Sequence, residues 1–187
     1  FDEMRDEVEK LIEVAWRNYC DTRKSPRTRK AGPGFADPDY DLSIEWLDAR
    51  ERIKEAAKRH ANSREPSRVL LVCAASRNDK TCPGEMSKTF RLVGMAADTL
   101  RQHAMEVDVL DLSELASEAH KVILPCKACV STAMPVCHWP CSCYPNHALG
   151  QVDDWMNDIY PRWVVAHGVM IVTPVYWYQA PSGLKLM

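Results

Sequence analysis

Three stretches of this sequence carry residues able to do chemistry. The first is Gly168 to Lys185, GVMIVTPVYWYQAPSGLK. Its apolar, β-branched run Val169 to Val172 has the length of a strand, and Pro174 cannot donate to a sheet ladder, so the strand is expected to end at Thr173. The loop that follows sets Tyr176, Trp177 and Tyr178 side by side before Gln179, and Pro181, Ser182 and Gly183 then open a helix. Ligands of an open parallel α/β sheet bind in the crevice beyond the carboxyl ends of its strands, where aromatic rings can flank a flat ligand. A surface loop whose rings pack on a neighbour is the alternative.

The second stretch runs from Ser76 to Thr89. It follows an apolar run, VLLVCA (Val69 to Ala74), of the kind expected for a parallel strand covered on both faces. A polar loop, NDKTCPGEM, leads from Arg77 to Ser87, Lys88 and Thr89, after which Phe90, Val93, Ala97 and Leu100 form a helical stripe. The amino end of a helix has free N–H groups and partial positive charge, so hydroxyls and an arginine around it make a socket for phosphate. Neither a G-x-G-x-x-G fingerprint nor a Walker lysine loop is present. A hydroxyl-rich socket suits a terminal phosphate monoester, such as that of a mononucleotide, although Ser and Thr at a helix start also serve simply as caps.

The third is a cysteine cluster. Cys126, Cys129, Cys137, Cys141 and Cys143 lie in the pattern C-x2-C-x7-C-x3-C-x-C, with His138 among them. Four thiolates drawn from these suit tetrahedral zinc or an iron-sulfur cluster. The spacing matches neither standard pattern. Free or redox-active thiols without a resident metal are the favoured reading.

These stretches need elements to position them. In 187 residues, 46% of them hydrophobic and 27% charged, there is enough chain for a domain with a proper core. A net charge of -2 gives no global argument for nucleic acid or an anionic membrane. No apolar run reaches the length of a membrane span, and no secretory signal opens the sequence, so the protein is expected in the cytoplasm with its cysteines reduced. Charge is uneven: residues 1–66 hold 14 Lys+Arg and 15 Asp+Glu, residues 67–187 only 10 and 11. The first third therefore reads as a helical extension and linker, and residues 67–187 as the sheet domain.

Within the extension, Met4, Val8, Leu11, Ile12, Ala15 and Tyr19 share one face of a helix from Asp2 to about Cys20. That face needs a partner, and it is expected to cross to a neighbouring subunit and build a dimer or tetramer. Arg23 to Asp41, with three prolines and two glycines, reads as a linker that breaks helix and strand alike; its basic cluster is most simply solvated. Ser43 is the expected N-cap of a second helix reaching about His60, with Trp46, Arg50, Ile53 and Ala57 on one stripe. A second strand, Val107 to Leu112, carries Asp108 and Asp111 near its carboxyl end. Asp153 and Asp154 open a helix whose last turn Pro161 interrupts, and they read as caps rather than as an acid and base pair.

The succession of strand, Ser-Arg, Ser-x-Thr helix start, second strand, C-x2-C, Asp-Asp helix, T-P-V-Y-W and P-S-G-L-K resembles the NAD(P)H-dependent FMN reductases of the flavodoxin-like superfamily and their iron-sulfur flavoprotein relatives. The resemblance covers about residues 67–187. It implies an α/β fold, a doubly wound parallel sheet in three α/β/α layers, here with a helical amino-terminal extension. It implies further that Ser76, Arg77, Ser87 and Thr89, with Lys88 between them, hold the FMN phosphate, and that Pro174, Val175, Tyr176, Trp177, Tyr178 and Gln179 lie along the flavin ring. The loop here is longer than the family's, with no residue between Ser76 and Arg77. The implied activity is electron transfer from NAD(P)H through FMN to a small acceptor such as a flavin or quinone, with no side chain acting as catalyst. An electron carrier without turnover and a cysteine-rich metal-binding interaction protein are the alternatives. A flavodoxin-like sheet has five parallel strands, and only three are legible. The third is therefore expected as an exposed apolar edge, and the natural polypeptide is expected to be longer.

Overall fold

The computed structural model describes residues 4–20, 28–80, 84–119, 121–124 and 154–187. Among these lie, in chain order, α1 (Arg5–Cys20), β1 (Thr28–Lys30), β2 (Asp41–Ser43), α2 (Ile44–His60), β3 (Arg68–Cys73), α3 (Lys88–Gln102), β4 (Glu106–Asp111), α4 (Glu114–Ser117), α5 (Met156–Val165), β5 (Gly168–Val172) and α6 (Ser182–Leu186). They fall into two compact units that divide within α2, after Arg50.

In the first unit, α1 has the expected amphipathic sequence, and its side chains from Met4 to Arg17 are exposed. The segment expected to be an irregular linker contains strands. Thr28, Arg29 and Lys30 pair antiparallel with Ser43, Leu42 and Asp41. Gly32, Pro33, Gly34 and Pro38 all fall in the loop between the two strands, where breakers turn the chain instead of preventing pairing. Ser43 caps α2 as expected, its hydroxyl accepting the Trp46 N–H at 3.0 Å. The buried stripe of α2 is displaced from the expected one. Trp46, Ala49 and Ala56 are buried and Ile53 half-buried, whereas Ala57 faces solvent and Arg50 sets its guanidinium 4.5 Å above the Phe35 ring.

In the second unit, β4, β3 and β5 form a parallel sheet with β3 at its centre. Both faces of β3 are covered, which is why its sequence is continuously apolar. Leu70 and Val72 pack with Leu110, Trp155 and Ile159 on the α5 face, and Leu71 and Cys73 with Val93 and Ala97 on the α3 face. This is the three-layer α/β/α arrangement. Among the described residues β5 is an edge of the sheet, and Val169, Met170 and Ile171 on it are exposed, as expected. Helix α5 runs on through Pro161 for four more residues instead of ending there. Asp154 is buried and accepts the Met156 N–H at 2.9 Å, so it is a cap, as read; Asp153 lies outside the described residues. Burial pushes the Asp154 carboxyl above its usual range, and the N–H groups of Met156 and Leu124 pull it partly back.

A histidine ties the amino end of β3 to α2. His167 Nδ1 accepts the Arg68 N–H at 3.0 Å, which leaves Nε2 to donate to the His60 carbonyl 3.1 Å away, and the two imidazoles stack at 4.7 Å. No helix among the described residues is long and apolar enough to cross a membrane.

The carboxyl end of α3 makes a direct prediction. Met105 N–H bonds the Leu100 carbonyl and Ala104 N–H bonds that of Arg101, the pairing of a Schellman motif, and Ala104 has the φ of 57° that this motif demands. Glycine usually holds that position because it has no Cβ to strain. Ala104→Gly is therefore expected to stabilise the protein by about 0.5–1 kcal/mol. Chemical denaturation checks it; an unchanged or lower midpoint would show that Ala104 packing outweighs the relieved backbone.

Candidate flavin site

Two loops leave the sheet side by side. Cys73 and Val172 are the last residues of β3 and β5 and are partners in register, so the chains that follow them start from adjacent positions at the carboxyl end of the sheet. The ladder continues one step further, with Ala74 N–H bonded to the Val172 carbonyl and Leu112 N–H to that of Cys73, both at 2.9 Å.

The loop after β3 leads into the amino end of α3, where the phosphate contacts are expected. Ser87 is buried and accepts the Phe90 N–H on its Oγ at 3.4 Å, capping α3 while its own hydroxyl proton stays available to donate. The first helical bond runs from Arg91 N–H to the Ser87 carbonyl at 2.9 Å, so the N–H groups of Lys88 and Thr89 have no partner within the helix. Ser76 and Lys88 are exposed and Thr89 is half-buried. Arg77 is half-exposed, its guanidinium 4.0 Å from Glu85. Free N–H groups and the hydroxyls of Ser87 and Thr89 stand at this helix end, the kind of donors that a phosphate monoester dianion takes, whereas Ser76 lines a crevice with Leu112, Ser113 and Pro181.

What holds this loop in place was not visible in the sequence. Asn78 is buried and donates from Nδ2 to Asp111 Oδ2 at 3.0 Å and to Ser113 Oγ at 2.9 Å, while its Oδ1 accepts the Lys80 N–H at 2.8 Å. Asp111 Oδ1 in turn accepts the Ser113 N–H at 3.0 Å. The loop after β3 is thereby tied to the end of β4. The available signal was the Asn in N-D-K, since an Asx side chain commonly bonds the backbone two residues on. Cys73, beneath the loop, is a core residue: burial and the Asp111 carboxylate push its thiol up, so it stays protonated at neutral pH and is no nucleophile.

The loop after β5 is a tight hairpin. Tyr176 and Gln179 exchange N–H···O bonds of 2.9 and 3.0 Å, and between them Trp177 and Tyr178 have φ of 48° and 62°. Two central residues with positive φ make a type I′ turn, a place that Asn-Gly takes readily and bulky aromatics take under strain. Nothing among the described residues covers the two rings, which are 93% and 98% exposed. Gln179 is held to α6 by a bond from Lys185 Nζ. Pro174 is half-buried, and Val175 and Tyr176 are exposed. Strain of this kind, in a loop that displays flat rings, fits a planar ligand.

Between these loops and β4 lies a crevice of about 190 Å³, lined by Ser76, Leu112, Ser113, Leu115, Pro181 and Gly183 among others. The fit there is close, since a Cβ at Gly183 would meet Leu115 Cδ1 at 3.2 Å. A larger cavity, about 500 Å³, opens at the other end of the strands among Arg52, Arg59, Arg68 and Arg162. Those guanidiniums are already engaged. Arg52 pairs with Asp158, Arg68 with Glu65 and Glu106, and Arg162 with both oxygens of Asp108 at 2.7 Å, so they offer little free charge to a ligand.

Cys126, Cys129, Cys137, Cys141 and Cys143 lie outside the described residues. Among the described residues no group of three His, Cys, Asp or Glu is placed to hold a metal ion.

The chain is 24% identical over 97 residues to a protein of Methanosarcina thermophila described as an iron-sulfur flavoprotein, a match covering 52% of this chain and 41% of that protein. The chain thus matches well under half the length of that relative. No solved structure matches significantly. The family model of NADPH-dependent FMN reductases matches residues 67–187, which span the parallel sheet, the start of α3 and the aromatic turn, and this chain belongs to that family.

Proposed function

We infer that this protein is an FMN-dependent oxidoreductase that takes electrons from NADPH or NADH and passes them to a small acceptor such as a flavin or quinone. The observation that supports this reading is that the loop leading to α3 and the loop with the strained Trp177–Tyr178 turn start from paired residues, Cys73 and Val172, at the carboxyl end of the sheet. In this reading the N–H groups of Lys88 and Thr89, the hydroxyls of Ser76, Ser87 and Thr89, and the Arg77 guanidinium hold the phosphate. Pro174, Val175, Tyr176, Trp177, Tyr178 and Gln179 lie along the ring. FMN, when bound, supplies the hydride chemistry, and the protein supplies position, electrostatics and access. No side chain is assigned as a catalyst. The exposed Tyr178 ring narrows the approach and favours thin, planar acceptors. The family's description supports FMN and a nicotinamide donor, and the relative's supports a flavin. A reducing cytoplasm suits the free, buried Cys73 thiol.

Anaerobic absorbance spectroscopy tests the reading. The purified protein, mixed with FMN and passed through a desalting column, is expected to retain flavin bands that bleach on addition of NADPH or NADH. Retained bands that neither nucleotide bleaches would replace the enzyme with an electron carrier. Loss of all flavin on the column would remove the cofactor assignment.

A further inference from the structure

We propose, on the flavin reading given above, that Asn78 is a positioning residue: by fastening the loop after β3 to the end of β4 it aims Arg77, and so sets how strongly this chain prefers FMN to riboflavin. Between Ser76 and Lys80 only Asn78 is buried. Arg77 stands between it and Ala75, which is 3% exposed just past the end of β3, so the arginine's backbone is pinned on both sides while its side chain reaches solvent. An arginine so placed meets an anion with less ordering left to do than one on a loose loop.

The anchor is firm and its chemistry is directional. Leu112 N–H bonds the Cys73 carbonyl at 2.9 Å, which fastens the chain between Asp111 and Ser113 to β3. One Nδ2 proton of Asn78 goes to Asp111 Oδ2 and the other to Ser113 Oγ, while Oδ1 takes the Lys80 N–H. Both amide protons are thus spent within the protein, and neither is left for a ligand. Turning the amide over would set its oxygen against the Asp111 carboxylate and its N–H groups against that of Lys80, so only one orientation serves. Asn78→Asp keeps the shape of the side chain but sets two carboxylates across the 3.0 Å that the hydrogen bond now spans, which like charges resist. Adding Asp111→Asn exchanges donor and acceptor and restores the link. The amide at position 111 then donates to position 78 while still accepting the Ser113 N–H, and the Ser113 hydroxyl turns to donate.

Titration of the full chain with FMN and with riboflavin, followed by flavin fluorescence, tests the proposal. Asn78→Asp is expected to weaken FMN binding about tenfold or more, the scale of one charge-assisted hydrogen bond, and to change riboflavin binding by less than about twofold. On an Arg77→Ala background the same substitution should add less than about twofold, because the group it aims is gone. Asn78→Asp combined with Asp111→Asn should regain most of the FMN affinity. Equal losses for the two flavins would overturn the proposal by showing that Asn78 supports the fold as a whole, and a loss that adds in full to that of Arg77→Ala would show that Asn78 does not act through the arginine. So would a double exchange that melts like the unmodified chain yet binds FMN no better than Asn78→Asp. An unmodified chain that retains neither flavin would remove the flavin reading and this role with it, whereas tight FMN binding indifferent to Asn78→Asp would remove this role alone.

Discussion

Arg77→Ala is expected to weaken FMN binding by about 1–3 kcal/mol, roughly ten- to hundredfold, while leaving riboflavin affinity nearly unchanged. The magnitude is that of a charge-assisted hydrogen bond to a phosphate oxygen. Arg77 is half-exposed and lies 4.0 Å from Glu85, so the loss should shrink as ionic strength rises. Titration of the protein with both flavins, followed by fluorescence quenching, checks the prediction. Riboflavin, which lacks the phosphate, separates the two roles the arginine could have. Equal losses for both flavins would show that Arg77 orders the loop and does not bind the phosphate.

The second large effect should move stability and binding in opposite directions. Trp177→Asn with Tyr178→Gly installs the residue pair that a type I′ turn favours in place of two aromatics held at positive φ. A non-glycine residue in the left-handed region costs about 1 kcal/mol relative to glycine, so the double variant is expected to be more stable by about 1–2 kcal/mol, raising the melting temperature by a few degrees. The two rings are almost wholly exposed, so little packing is lost with them. FMN affinity should fall by about 2 kcal/mol or more, taking roughly 1 kcal/mol for each aromatic face that stacks on a flat ring. A stabilised variant with undiminished affinity would leave the turn without a cofactor role. A destabilised one would show that the rings are covered in solution.

The larger elements were legible in the sequence because their causes are local. VLLVCA (Val69 to Ala74) reads as a strand covered on both faces because it is short, continuously apolar and contains β-branched residues, and both faces of β3 are indeed covered. The stripe Phe90, Val93, Ala97 and Leu100 set the inner face of α3, and Ser87 capped it as its side chain and place predicted. Pro174 marked the end of β5 because it has no N–H to give. Where local signals competed, the sequence was a poorer guide. Prolines and glycines between residues 32 and 38 suppressed the expectation of any strand, although they merely turn the loop between β1 and β2, and the α2 stripe came out rotated because Ala49 and Ala56 are small enough to bury while Arg50 finds the Phe35 ring.

Only the tertiary structure decided how the site is held together. Asn78 meets Asp111 and Ser113 across 33 and 35 positions because parallel β3 and β4 end at the same level, and no periodicity within either segment encodes that meeting. The aromatic triplet was plain in the sequence, but its composition argues against the turn it makes. Trp and Tyr take positive φ only where the surrounding chain requires it, and here the paired Tyr176 and Gln179 fix the ends of the turn while Lys185 holds Gln179. Residue types thus fixed which groups could meet a phosphate and a flat ring. That the two loops carrying them start from neighbouring positions is a property of the assembled sheet, set by the paired ends of β3 and β5.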